Sequence, residues 1–280
     1  MGYYKLFLPL RKETTMYIYM NDKKTEQLVK RPEMAELLCY FNKLENPVIL
    51  RELRQAFPKQ KHLDKNLDFL INHKIITRQD RRYYLRLSVI DEYPTTEIVE
   101  HFLTEMTGYS NEQLLVWLSE KFWSENLTET LAIDFPTATC TRLEHKNFDL
   151  VTINHSGTLT ETLPNYFNKI EQPELFPKLA ELLGDVNREF FNNQIGLLIE
   201  RIAAGKAPRR ESIFLTSLVA SQVLEAEPAW QFVIPCFEEE SVLDHSLSMD
   251  DQTRFLFERQ LADRLLESKA SYTYLIKKKE

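Results

Sequence analysis

The chain has 280 residues, 43% of them hydrophobic and 11% aromatic, and a formal charge of −7. That is enough for two ordinary domains with a sizeable core, and it carries no compositional sign of disorder. Cys39, Cys140 and Cys236 lie far apart and form no even disulfide framework, which points to a reducing compartment, the cytoplasm. No apolar run approaches the ~18 residues that a membrane helix needs.

The first segment, 1–29, opens on an apolar stretch, Tyr3 to Leu10, that Lys5 and Pro9 interrupt and that has no small-residue cleavage site, so it does not read as a signal peptide. Two readings of it stand open. Tyr3, Tyr4, Leu6, Phe7 and Leu8 pair with Tyr17, Ile18 and Tyr19 as a hairpin arm on a partner subunit, or Met16 or Met20 rather than Met1 is the true start.

From Pro32, suited to a first helical position, Met34, Leu37, Leu38, Phe41 and Leu44 recur at helical spacing. Leu50, Leu53 and Phe57 mark a shorter helix stopped at Pro58. A third helix starts near Lys61 with the stripe Leu63, Leu67, Leu70 and Ile71, which turns Lys61, Lys65, Asp68 and Asn72 outward. Ile75 to Arg78, a charged turn, and Tyr83 to Leu87 predict a strand, a wing tip and a second, aromatic strand.

That layout, covering about residues 30–90, resembles the winged helix-turn-helix of ArsR- and MarR-type bacterial regulators. The resemblance implies DNA binding by the third helix, through Lys61, Lys65 and Asn66, and by the wing, through Arg78, Arg81 and Arg82, on double-stranded DNA and as a homodimer. Two positions depart from the pattern. Lys74 stands where the family often has a glycine after the recognition helix, and Asp64 stands where a small polar residue commonly approaches DNA. The phrases DKKTEQLVKRPEMAELLCYF and TLTETLPNYF also resemble an uncharacterised family of low-GC Gram-positive bacteria, which implies a bacterial cytoplasm.

Charge is divided unevenly. Residues 1–90 hold 18 Lys and Arg against 10 Asp and Glu, and residues 91–280 hold 17 against 32. A basic front on an acidic rear fits a polyanion partner met by one module alone. It equally fits a basic module that docks a protein, or the acidic domain of its own chain.

A boundary falls at Asp91 to Thr95, giving an expected winged-helix domain at 30–92 and an acidic domain at 93–280. Thr95 or Thr96 caps a helix carrying Ile98, Val99, Phe102, Leu103 and Met106; Gly108 breaks it, and Leu114, Leu115, Trp117, Leu118 and Phe122 face a second. Leu131, Ile133 and Phe135 alternate as a strand, and a hairpin turns at His145-Lys146-Asn147. Helices resume near Thr160, run from Pro173 to Ala204 with a division at Gly184, and return from Ser212 to Glu225. Trp230 to Ile234 reads as a buried strand, Met249 to Ser268 as a helix and Tyr272 to Ile276 as a last strand. The fold class expected is α+β, a winged helix followed by a mainly helical domain with a small sheet.

Motifs for chemistry are sparse. Six glycines form neither GxGxxG nor a phosphate loop. His101, between Glu100 and Glu105, lacks the second histidine of HExxH, and Cys140, His145 and His155 lack zinc spacing. Ser156 follows His155 without a nucleophile elbow. Trp117, Trp123 and Trp230 read as core or interface, and Glu238-Glu239-Glu240 as an exposed acidic bend. One loop, with Lys206, Arg209 and Arg210 before a helix start, is a candidate anion site. The expectation is a non-enzymatic DNA-binding regulator without cofactor or metal, whose second domain senses an unidentified ligand or dimerises. The alternative is a protein-interaction scaffold.

Overall fold

Apolar spacing turns most directly into structure in the first third of the chain. The computed structural model describes residues 16–123, 127–238 and 246–278. Its first elements are β1 (Tyr17–Tyr19), α1 (Lys23–Val29), α2 (Pro32–Asn42), β2 (Val48–Ile49), α3 (Leu50–Ala56), α4 (Leu63–Asn72), β3 (Ile76–Gln79), β4 (Arg82–Leu85) and β5 (Val89–Ile90). There follow α5 (Thr96–Glu105), α6 (Asn111–Trp123), β6 (Leu131–Ile133), β7 (Thr139–Glu144), β8 (Phe148–Asn154), α7 (Leu163–Asn168), a 3-10 turn at Pro173–Leu175 and α8 (Pro177–Leu183). The remainder is α9 (Arg188–Ala203), α10 (Ile213–Ala220), β9 (Leu224–Glu225), β10 (Gln231–Phe232), β11 (Cys236–Glu238), α11 (Asp251–Leu266) and β12 (Ser271–Lys277). The fold is α+β. Among the described residues no helix is long and apolar enough to cross a membrane.

The chain forms two compact units, neither continuous in sequence: 16–94 with 127–136 and 250–253, and the rest of the described residues. The first unit has two three-stranded sheets, β1-β6-β5 and β2-β4-β3. In the second of these, β4 lies between β2 and β3 and is antiparallel to both. Leu37, Leu38, Leu53, Leu67, Leu70, Ile75 and Tyr83 share one core, so the stripes expected on α2, α3 and α4 all face inward. Leu44, Leu50, Phe57 and Ile71 pack against it only partly buried.

Three features of this unit differ from expectation. Strand β6, from the stretch assigned to the second domain, joins β1 antiparallel and β5 parallel. Tyr17–Tyr19 is therefore a sheet strand, flanked by buried Met16 and Met20; Tyr3, Tyr4, Leu6, Phe7 and Leu8 lie outside the described residues. Helix α1 carries no apolar stripe and so escapes periodicity: it buries Thr25, Glu26 and Val29, and Asp22 caps it by accepting from the Lys24 N–H at 3.1 Å. Burial works to raise the Glu26 pKa, but Lys30, Lys23 and the Met20 N–H outweigh it and hold the carboxyl below its ordinary value.

In the second unit the sheet order is β11-β12-β8-β7, with β11 parallel to β12 and the other pairs antiparallel. Every residue of β8 is buried, because helices cover both sides of it. Val151 and Ile153 face a core with Phe102, Trp117, Phe257 and Leu261, from α5, α6 and α11. Phe148 and Leu150 face another with Tyr166, Leu179, Ile195 and Leu218, from α7 to α10. The result is three layers, helix–sheet–helix.

Toward the end of the second face the register turns polar. Thr141, Thr152 and Thr273 lie across one row of the sheet, and Thr139, Asn154 and Ser271 across the next. Asn165, on α7, closes over them: its amide donates to Asn154 Oδ1 and to the Thr160 carbonyl, both at 2.8 Å, and its oxygen accepts from Thr141 at 2.7 Å and Asn154 at 3.0 Å. A buried polar patch whose members satisfy one another costs little to bury.

Two further expectations are corrected. The helix after Ser212 ends at Ala220 instead of Glu225. The run Trp230 to Ile234 contributes only the two-residue β10, paired with β9, and Val233 is 51% exposed. Its hydrophobic composition does not reflect a central strand.

Candidate nucleic-acid interface

Helix α4 ends, without glycine, the way glycine-terminated helices do. Lys74 has φ +59°, its N–H reaches the Ile71 carbonyl and the Ile75 N–H reaches Leu70, both at 2.9 Å. These two bonds are those of the Schellman motif, and the accompanying apolar contact is supplied by fully buried Leu70 and Ile75. The departure at Lys74 thus leaves the path of the chain intact and stores some left-handed strain.

Next comes the hairpin. The pairing Gln79 with Arg82 leaves a two-residue turn, Asp80-Arg81, with φ +50° and +62°. Positive φ at both positions is the type I′ geometry that matches strand twist. The charged turn expected over four residues is thus half that length.

The six expected DNA-contact residues divide by position. Lys61 and Lys65 are exposed and line one cleft of about 520 Å³ between the end of α3 and the start of α4, together with Arg54, Gln60 and His62. Asn66 is half-buried. Arg78 lies 5.4 Å from the centre of the Tyr83 ring, and Arg82 donates to the Pro47 carbonyl at 3.1 Å, tying β4 to the start of β2. Arg81 is exposed at the turn. Arg82 thus has structural work as well as charge, and Arg81 is the cleaner probe of binding.

Arg54, which periodicity gave no reason to single out, bears on Asp64. The two side chains meet at 2.9 Å, 59% and 60% exposed, joining the last turn of α3 to the first turn of α4. The pair offsets the carboxylate that stood against DNA binding, though an exposed pair adds little stability. Asp68 stays exposed on the outer face. A second basic cleft of the same unit, about 670 Å³ and also missed, gathers His73, Lys74 and Arg86 with Glu129.

Ser156 donates both its N–H, at 2.8 Å, and its hydroxyl to Asp263, while His155 Nδ1 lies 3.6 Å from the same carboxylate. The serine hydroxyl is engaged by the acid, while the imidazole meets the serine only at its carbonyl, at 3.3 Å, so the group braces a turn and does not form a catalytic triad. His101 is exposed and 3.7 Å from Glu105. No three His, Cys, Asp or Glu among the described residues are placed to hold a metal ion. Trp117 is fully buried and Trp230 partly so; Glu239, Glu240 and the Trp123 side chain lie outside the described residues. Lys206, Arg209 and Arg210 do come together, on a cleft between α9 and α10.

Fold and site define an α+β protein whose first unit presents a helix of mixed charge and a basic hairpin and whose second is a three-layer scaffold. Residues 16–121 match a family model described as a domain of unknown function, DUF1803. The match takes in the helix-and-hairpin region, α5 and most of α6, and stops before β6. No curated protein and no solved structure matches the chain.

Proposed function

We propose that the first unit is a winged helix that binds double-stranded DNA, with α4 entering the major groove and the Asp80-Arg81 hairpin gripping the backbone. One observation carries the reading: the order helix, strand, helix, helix, strand, strand from α2 to β4, with β4 between β2 and β3. Lys61 and Lys65 at the head of α4 and Arg81 at the turn supply the charge. The protein then acts as a transcriptional regulator of the bacterial cytoplasm, without a catalytic step, and its second unit dimerises or senses a ligand.

The test is retention of the full chain on a labelled duplex at about 50 mM salt, where phosphate contacts are strongest. Binding that weakens steeply with salt is expected. The pair Lys65→Glu and Arg81→Glu should weaken it on every sequence and reduce the salt slope by about one unit for each phosphate that is no longer neutralised. Absence of binding at that salt rejects the reading.

A second reading rests on α4 itself, whose outer face carries Asp64 and Asp68 beside Lys65, with Lys61 just ahead of it. A face of mixed charge suits a protein partner. Capture of a protein that Lys65→Glu and Asp68→Lys both abolish, with no duplex retention, supports docking.

A further inference from the structure

The cleft between α9 and α10 has the composition of a ligand site. Its volume is about 620 Å³, within the usual range for small-molecule pockets. Leu197, Leu198, Ala204 and Phe214 give it an apolar wall. Phe214 is fixed there by an edge contact with Phe190 and a tilted one with Phe191, at 5.7 and 5.8 Å between ring centres.

The other wall is basic. Arg201, Lys206, Arg209 and Arg210 line the same cleft, in a part of the chain where carboxylates outnumber cations by 32 to 17. Among the described residues none of the four is paired with a carboxylate. Of the two acids in the lining, Glu200 is engaged by the Asn147 amide. Arg201 donates Nε–H to the Ala207 carbonyl at 2.5 Å, which fixes its guanidinium against the loop and directs what it can offer a ligand to its Nη groups. Leu197 is 64% exposed, so the apolar wall reaches the surface.

Cations without a carboxylate partner beside exposed apolar side chains leave two needs unmet, and one molecule can meet both. We infer that this cleft binds an aliphatic carboxylate, its chain along Leu197, Leu198 and Phe214 and its headgroup held by Arg201, Arg209 and Arg210. Charge complementarity sets the sign of the ligand, and the apolar wall sets its body. The site belongs wholly to the second unit, and its assignment does not rest on DNA binding by the first.

Calorimetric titration of the full chain with decanoate, decan-1-ol and acetate tests it. Decanoate should bind at least about tenfold more tightly than either control. The variant Arg209→Glu/Arg210→Glu should weaken decanoate about tenfold or more, and Leu197→Gln, at an exposed position that folding does not need, should weaken it several-fold. Equal affinity for decanoate and decanol removes the role of the cations, and equal affinity for acetate removes the role of the apolar wall. No decanoate binding overturns the inference, as does self-association that Leu197→Gln abolishes without decanoate binding, which would assign the face to a second copy of the chain.

Discussion

Lys74 and Gly196 show how far one residue can be held from its usual conformation or deprived of space. A glycine at Lys74 would keep both capping bonds and relieve the left-handed strain, so Lys74→Gly should raise stability by about 1 kcal/mol in denaturant unfolding. Glycine is already used where contact demands it: a Cβ on Gly196 would sit 2.7 Å from His145 Cε1. That imidazole packs on Phe148 at 4.8 Å, so Gly196→Ala should cost roughly 1–3 kcal/mol, recovered in part by a second change, His145→Ala. His145 also makes a pH prediction. Burial lowers its pKa from the usual 6.5; Lys146 and Lys278 add to the shift, and Glu200 and an Asn193 hydrogen bond oppose it. The unfolded chain therefore takes up the proton first, and this contribution to stability is complete above pH 6.5 and is lost as pH falls from there toward the folded-state value. The stability advantage of the native chain over His145→Gln should shrink across that acid window in paired unfolding curves.

At the scale of elements, the hairpin joins stability to binding. Replacing Asp80-Arg81 with Asn-Gly supplies the residues that a type I′ turn prefers and should stabilise the chain by about 1 kcal/mol, yet it removes the exposed cation. Opposite movements of melting temperature and duplex affinity would separate the charge of Arg81 from its place in the turn. In the second unit Asn165→Ala would take hydrogen bonds from Thr141, Asn154 and the Thr160 carbonyl and should cost on the order of 2–4 kcal/mol, read as a shifted denaturant midpoint. The amphipathic elements were legible in advance: α4 shows its stripe because Leu63, Leu67 and Leu70 are the residues it buries in the core. Helix α1 was not, since two of its buried residues are Thr25 and Glu26, and solvating interactions inside a core leave no hydrophobic period. Nor could the bases of the α9–α10 loop be told from a solvated connector until Leu197 and Phe214 were placed beside them.

For the whole molecule, composition and turn residues suggest a boundary at Asp91 to Thr95, but no local signal records that Tyr17–Tyr19 pairs with Leu131–Ile133. A fragment ending at Pro94 retains α2 to β4 but lacks β6, so β1 and β5 are each deprived of their only strand partner among the described residues. Such a fragment should melt with less cooperativity than the full chain and bind more of a dye specific for exposed apolar surface; full-chain cooperativity in the fragment would contradict this. Binding experiments therefore belong with the intact protein.

The same threading sets a timetable for synthesis. The chain has made β1 and β5 by Ile90 but does not make β6, their common neighbour, until Leu131, after α5 and α6 of the other unit have been translated. At ~5–20 residues per second that is a wait of a few seconds, during which two strands stand with open edges on the ribosome.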